Sequence, residues 1–76
     1  MTDYKRIDKA ITNFKGDFEK LEILEIVKED LNWHSKDSYV ARRIADLIKM
    51  GFVVKTSDSV PATYRLVNTI TYKKTN

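Results

Sequence analysis

Few side chains in this 76-residue sequence are equipped for covalent chemistry. The single histidine, His34, is followed directly by Ser35. Sequence neighbours rarely face each other, so the two do not make a nucleophile and its base. His34 stands one turn after Asp30 and can bond to it, but alone it builds no metal site. Cysteine is absent, which removes the thiolate nucleophile, the cysteine zinc site and the disulfide framework together. Glu22, Glu25 and Glu29 are spaced to lie along one side of a helix. Carboxylates so placed can do acid–base work only beside a pocket and a positioned partner group, and the sequence offers no glycine-rich phosphate loop and no second histidine. The expectation is a protein that is not an enzyme, with no catalytic residue, no metal site and no cofactor.

Charge is the more informative chemistry. The chain holds 14 basic and 11 acidic residues, a net charge of +3. Residues 1–16 carry four basic and two acidic groups, residues 17–31 two basic and six acidic, and residues 32–76 eight basic and three acidic. An acidic middle therefore precedes a basic second half. Such asymmetry points to a partner for the basic half, with an anionic surface as first candidate. Apolar residues at 42% and charged residues at 33% are the composition of a folded domain. A chain of this length makes one domain and buries only about 60% of its unfolded surface, which leaves little room for a deep pocket. No apolar run approaches the roughly 20 residues of a membrane span. MTDYKRIDKA lacks the apolar core of a signal peptide, so a cytoplasmic location is expected.

The elements that must position these charges follow from periodicity. Tyr4, Ile7, Ala10, Ile11 and Phe14 predict a helix over 3–15, with Thr2 or Asp3 as cap and Gly16 closing it. Phe18, Leu21, Leu24, Val27 and Leu31 form a stripe, widened by Ile23 and Ile26, that predicts a second helix over 17–31 with Asp17 as cap. Ser35 or Asp37 starts a third helix over 36–50 that Gly51 ends. At about 100° per residue, Val40, Ile44, Leu47 and Ile48 share its inner side. Ser38, Arg42, Ala45 and Lys49 share the outer side, flanked by Tyr39 and Asp46, with Arg43 nearer the core boundary. After Gly51 the period falls to two, which predicts strands over 52–56 and 62–67 or longer, joined by a polar turn holding the only proline, Pro61. Trp33 reads as a plug at one end of the core, and residues 73–76 as a frayed tail.

Three helices followed by a two-stranded hairpin is an α+β order that resembles the winged helix-turn-helix family over almost the whole chain. The stretch SYVARRIADLIKMGFV, from Ser38 to Val53, resembles the family's recognition helix and its exit into the first wing strand. Phe18, Glu22 and Ile23 resemble the start of its second helix. The sequence departs from the pattern in a longer second helix, a longer turn over 32–36, and the lack of a clear strand between the first two helices, where Phe18 can stand in.

The resemblance implies binding of duplex DNA, with the third helix in the major groove and the wing on the backbone. Residue by residue, it assigns base readout to Arg42, phosphate or base-edge contacts to Ser38 and Tyr39, and phosphate pairing to Arg43 and Lys49. Lys55, Ser57, Ser59, Thr63 and Arg65 become wing contacts, and Lys73 and Lys74 a basic tail. The implied role is a small transcriptional regulator or architectural factor acting by occupancy, associated with the nucleoid. A homodimer through the first helix or residues 69–73 would use Tyr4, Ile70 and Tyr72. Asp46 and the six carboxylates of residues 17–31 oppose a phosphate backbone. They support the alternative of a winged-helix protein-interaction module, a subunit of a larger complex or a phage-type or plasmid-type inhibitor of a host protein, using the acidic helix and the Trp33 turn.

Overall fold

The computed structural model describes residues 2–31 and 35–72. Its elements run α1 (Asp3–Asn13), α2 (Lys20–Val27), α3 (Lys36–Met50), β1 (Val53–Ser57) and β2 (Thr63–Leu66). This is an α+β arrangement of three helices and an antiparallel hairpin, a layout compatible with a winged helix. Among the described residues no helix is long and apolar enough to cross a membrane. Asn32, Trp33 and His34, and Lys73 and Lys74, lie outside the described residues, so the expectations placed on them do not meet the structure.

One core joins all five elements. Ile7, Ala10 and Ile11 of α1 recur at helical spacing and are buried, as are Ile23 and Val27 of α2, Val40, Ile44 and Leu47 of α3, and Val53 of β1. Phe18 and Leu31, on either side of α2, complete it, and Tyr64 and Leu66 of β2 pack against it. Removing these side chains from water is the main force holding the helices to the hairpin.

The helix ends differ from the sequence reading in instructive ways. α1 stops at Asn13 because Phe14 takes an extended conformation. Its cap residue Thr2 contributes no side-chain bond, and its backbone carbonyl accepts from Lys5 and Arg6 instead. α2 starts at Lys20, not Asp17. Glu19 is the cap, in a reciprocal box in which the Glu22 carboxylate accepts from the Glu19 N–H at 2.9 Å and the Glu19 side chain accepts from the Glu22 N–H. The late start frees Phe18 to pair with Tyr64. The two residues exchange N–H to carbonyl bonds of 2.8 Å each, a one-residue bridge on the far side of β2.

The shifted start also changes which residues α2 buries. Leu21 and Ile26, expected in the apolar stripe, are 57% and 54% exposed. Ile23 and Val27 carry the buried line instead.

α3 ends at Gly51, which sits at φ +89° in the left-handed region. The Gly51 N–H reaches the Ile48 carbonyl and the Phe52 N–H reaches Leu47, a closure that satisfies two otherwise orphaned carbonyls. The Asn68 side-chain amide then donates to the Gly51 carbonyl at 2.8 Å, and Val67 N–H to the Phe52 carbonyl, which ties the end of the hairpin to the helix exit. β1 and β2 pair Val53 with Leu66, Val54 with Arg65 and Lys55 with Tyr64, then slip past Thr56 so that Ser57 meets Thr63.

Candidate nucleic-acid interface

The outer face of α3 is set by the burial of the inner one. Val40, Ile44 and Leu47 are held in the core, so helical geometry turns Ser38, Arg42, Ala45, Asp46 and Lys49 outward, where all are exposed. The side chains of Arg42 and Lys49 have no hydrogen bond or ion pair among the described residues. Arg42 lines a shallow concavity of about 320 Å³ with Tyr4, Ser38, Tyr39, Arg43 and Asp46. Asp46 thus lies close to Arg42, as its position along the helix implies.

Arg43 is in a different situation from its neighbour. It turns back toward α1 and makes two parallel bonds with Asp8, Nε to Oδ1 at 2.7 Å and Nη2 to Oδ2 at 2.6 Å. The side chains are 14% and 2% exposed. The guanidinium also lies 4.7 Å from the centre of the Tyr4 ring. The Tyr72 hydroxyl donates to Asp8 Oδ2 at 2.7 Å, and its ring meets Tyr4 edge-on. The Asp8 hydrogen bonds raise the Arg43 pKa still further above its ordinary value, against the opposing effect of burial. Burial first, and the bond to Asp8 second, push the Tyr72 hydroxyl up to about 12. Arg43, to which the family resemblance gives a phosphate-pairing role, is thus bound to Asp8. Its charge is neutralised within the chain, where it fixes α3 against α1.

The hairpin residues are gathered around a second carboxylate. Arg65 Nε donates to Asp17 Oδ1 at 2.7 Å, and Thr56 Oγ1 donates to Asp17 Oδ2 at 3.1 Å. Thr56 and Thr63 hydroxyls are 2.7 Å apart. The slip past Thr56 in the β1–β2 ladder coincides with this reach toward Asp17. The Arg65 bond is the main reason Asp17 titrates below the ordinary carboxylate range. Asp17 is therefore not the cap of α2 but an anchor of the hairpin. Lys55 pairs loosely with Asp58 at 3.2 Å, an exposed contact of little energetic weight. Ser57 and Ser59 bond to each other at the turn.

The structure thus brings Ser38, Tyr39 and Arg42 together on α3, with Lys49 beyond them in its last turn. It joins Thr63 and Arg65 through Thr56 and Asp17, and it withdraws Arg43. The dimer candidates are engaged within the chain: Ile70 packs on the core and Tyr72 bonds Asp8.

Sequence reasoning missed the roles of Asp8 and Asp17. Asp8 stands one turn after Tyr4, between Ile7 and Ile11, a carboxylate on the buried side of an amphipathic helix. That placement was the available signal that a buried cation partner must exist.

On the other flank, α2 offers Glu22 and Glu25 to solvent and the turn after it Glu29, with Lys28 bonded to Glu25 and Lys20 to Asp37. Among the described residues no cluster of three or more histidine, cysteine or carboxylate side chains is arranged to hold a metal ion. No protein-family model, curated protein or solved structure matches the chain.

Proposed function

We propose that this chain is a small winged helix-turn-helix protein that binds duplex DNA through α3 and the hairpin, acting by occupancy as a regulator or architectural factor. The observation that carries the reading is the contrast between adjacent arginines. Arg43 is neutralised by Asp8, while Arg42 stands exposed and unpaired at the centre of the outward face of α3. A planar guanidinium in a major groove can bond both guanine acceptors, worth about 1–3 kcal/mol of base discrimination. Ser38, in the first turn, suits a phosphate or base-edge contact, and Lys49 a phosphate. Asp46, beside Arg42, can accept from cytosine. Arg65 bonds Asp17 through Nε, which leaves its Nη groups for a phosphate.

The test is fluorescence anisotropy against a pool of labelled duplexes at low and near-physiological salt, with wild type beside Arg42→Ala, Lys49→Ala. Both positions are exposed, so the variant keeps its fold. Binding should be micromolar or tighter at low salt and fall with salt, because each neutralised phosphate releases counterions. The double variant should bind more weakly, with a salt slope shallower by about one for each phosphate it no longer neutralises. No binding at low salt by folded protein sinks the proposal.

A second reading, a protein-interaction module, is favoured by Leu21 and Ile26, large apolar side chains exposed among the glutamates of α2. It becomes the leading one if DNA binding fails.

A further inference from the structure

A groove of about 380 Å³ runs between α1 and α2, on the flank of α1 away from the Asp8–Arg43 pair. Its wall is apolar: Ala10 and Phe14 on one side, Ile26 and Val27 on the other. Its α1 edge carries two cations, Arg6 and Lys9, with the neutral Asn13 one turn further on. Neither Arg6 nor Lys9 has a side-chain hydrogen bond or ion pair among the described residues. The Arg6 Nε is buried, with no hydrogen-bond partner. Buried donors are normally satisfied, so this guanidinium, which lines the groove, gets none of its neutralisation from within the fold. Asp30 lines the same groove without pairing to either cation, and the lining keeps a net charge of +1.

Two other concavities among the described residues are lined by Arg43, whose charge Asp8 already neutralises. One of them also holds the unpaired Arg42, but beside Asp46 and without an aliphatic wall; the α1–α2 groove combines a partly buried, unpaired guanidinium, a second cation and an apolar wall. Pockets that orient small ligands have this composition, mostly apolar with a few placed polar groups.

We propose that the α1–α2 groove binds a small amphipathic anion, a carboxylate with an aliphatic chain. The carboxylate pairs with the groove-lining guanidinium of Arg6, with Lys9 adding charge. The aliphatic chain lies on Phe14, Ile26 and Val27. Asp30 opposes the head group electrostatically and sets a ceiling on affinity. The proposal does not depend on the DNA reading, since none of the groove residues belongs to the outward face of α3 or to the wing.

The test is a titration of the full chain with sodium octanoate, followed by amide chemical shifts, with octanol and acetate as controls. Saturable shifts should centre on Ala10, Phe14, Ile26 and Val27. Acetate, lacking the chain, and octanol, lacking the charge, should each bind at least about tenfold more weakly, the usual effect of losing a charge-assisted bond or several buried methylenes. Arg6→Gln should weaken octanoate by about tenfold or more, and Lys9→Gln, a change at an exposed position, by about twofold to threefold. Asp30→Asn should tighten it, the opposite sign. If Arg6→Gln loses its fold by circular dichroism, the Lys9 and Asp30 variants decide by their opposite signs. Absence of saturable shifts in the wild type overturns the proposal. So does octanol binding as well as octanoate, or an Asp30→Asn variant that binds more weakly.

Discussion

Replacing Asp8 by alanine is the sharpest test of how this small domain is held together. The substitution removes the acceptor of two charge-assisted bonds of 2.7 and 2.6 Å from Arg43 and of one bond of 2.7 Å from Tyr72. It leaves a guanidinium only 14% exposed without its counter-charge. Breaking a buried pair from one side costs about 3–5 kcal/mol. Arg43 retains the Tyr4 ring and some access to water, so the lower end, about 3 kcal/mol, is expected. A 76-residue domain has a total stability of about 4–11 kcal/mol, so the loss is at least a quarter of it. In urea, with a slope of about 1 kcal/mol/M for so small a protein, the midpoint should fall by about 3 M.

The companion variants are Arg43→Met and the double change. Arg43→Met alone strands the Asp8 carboxylate and should cost as much or more. The double variant removes both charges and should recover about 2 kcal/mol or more relative to the sum of the singles, since an apolar replacement of a buried pair is often nearly neutral. Equilibrium unfolding followed by circular dichroism reads all three. Single losses under about 1 kcal/mol that add without coupling would refute the reasoning, because that is how exposed pairs behave.

Three other perturbations have definite expected outcomes. Gly51→Ala should cost about 1 kcal/mol in the same unfolding assay; nothing crowds a Cβ there, so the cost comes from φ +89° alone, and Gly51→Asn should be milder. In an absorbance titration of the tyrosines, one group should ionise late, near pH 12, and be missing in Tyr72→Phe. Because that folded pKa is raised, the contribution of Tyr72 is complete below pH 10 and is lost as pH climbs through about 12; wild type should therefore lose stability over that interval more steeply than Tyr72→Phe. Phe18→Ala should destabilise by about 3–5 kcal/mol, since it empties a fully buried aromatic site against Phe14 and Tyr64.

What the sequence made legible is whatever local periodicity encodes. Val40, Ile44 and Leu47 recur at the spacing of one helical face, and Gly51 marks a helix exit that only a left-handed residue closes well. Periodicity places Phe18 in the second helix; only the family resemblance lets it stand in for a strand, which is how the bridge to Tyr64 uses it. The phase of α2 was not readable. Counting the stripe from Phe18 assumes a helix that already includes it, and the bridge to Tyr64 takes it out, which leaves Leu21 and Ile26 exposed. The candidate interface divided in the same way. Arg42 and Arg43 look equivalent along the chain, and only a partner 35 residues away separates them. Asp17 looks like a helix cap until Arg65, 48 residues on, is folded against it. Pairings at such separations leave no local trace.

The bridge between Phe18 and Tyr64 has a consequence for the sheet as a template. A hairpin ordinarily offers two rows of unpaired backbone groups to any extended chain that meets it, the route by which small β-structures aggregate. Here Phe18 occupies the outer side of β2 at Tyr64, so β2 lies between two neighbours at its centre. Among the described residues β1 remains as the open edge. It is five residues long, carries Lys55, and is kinked where the register slips past Thr56. Shortness, a lysine and a bulge all make an edge hard to extend. A single residue ahead of α2 thus protects one side of the sheet, and the irregularity opposite Thr63 protects the other.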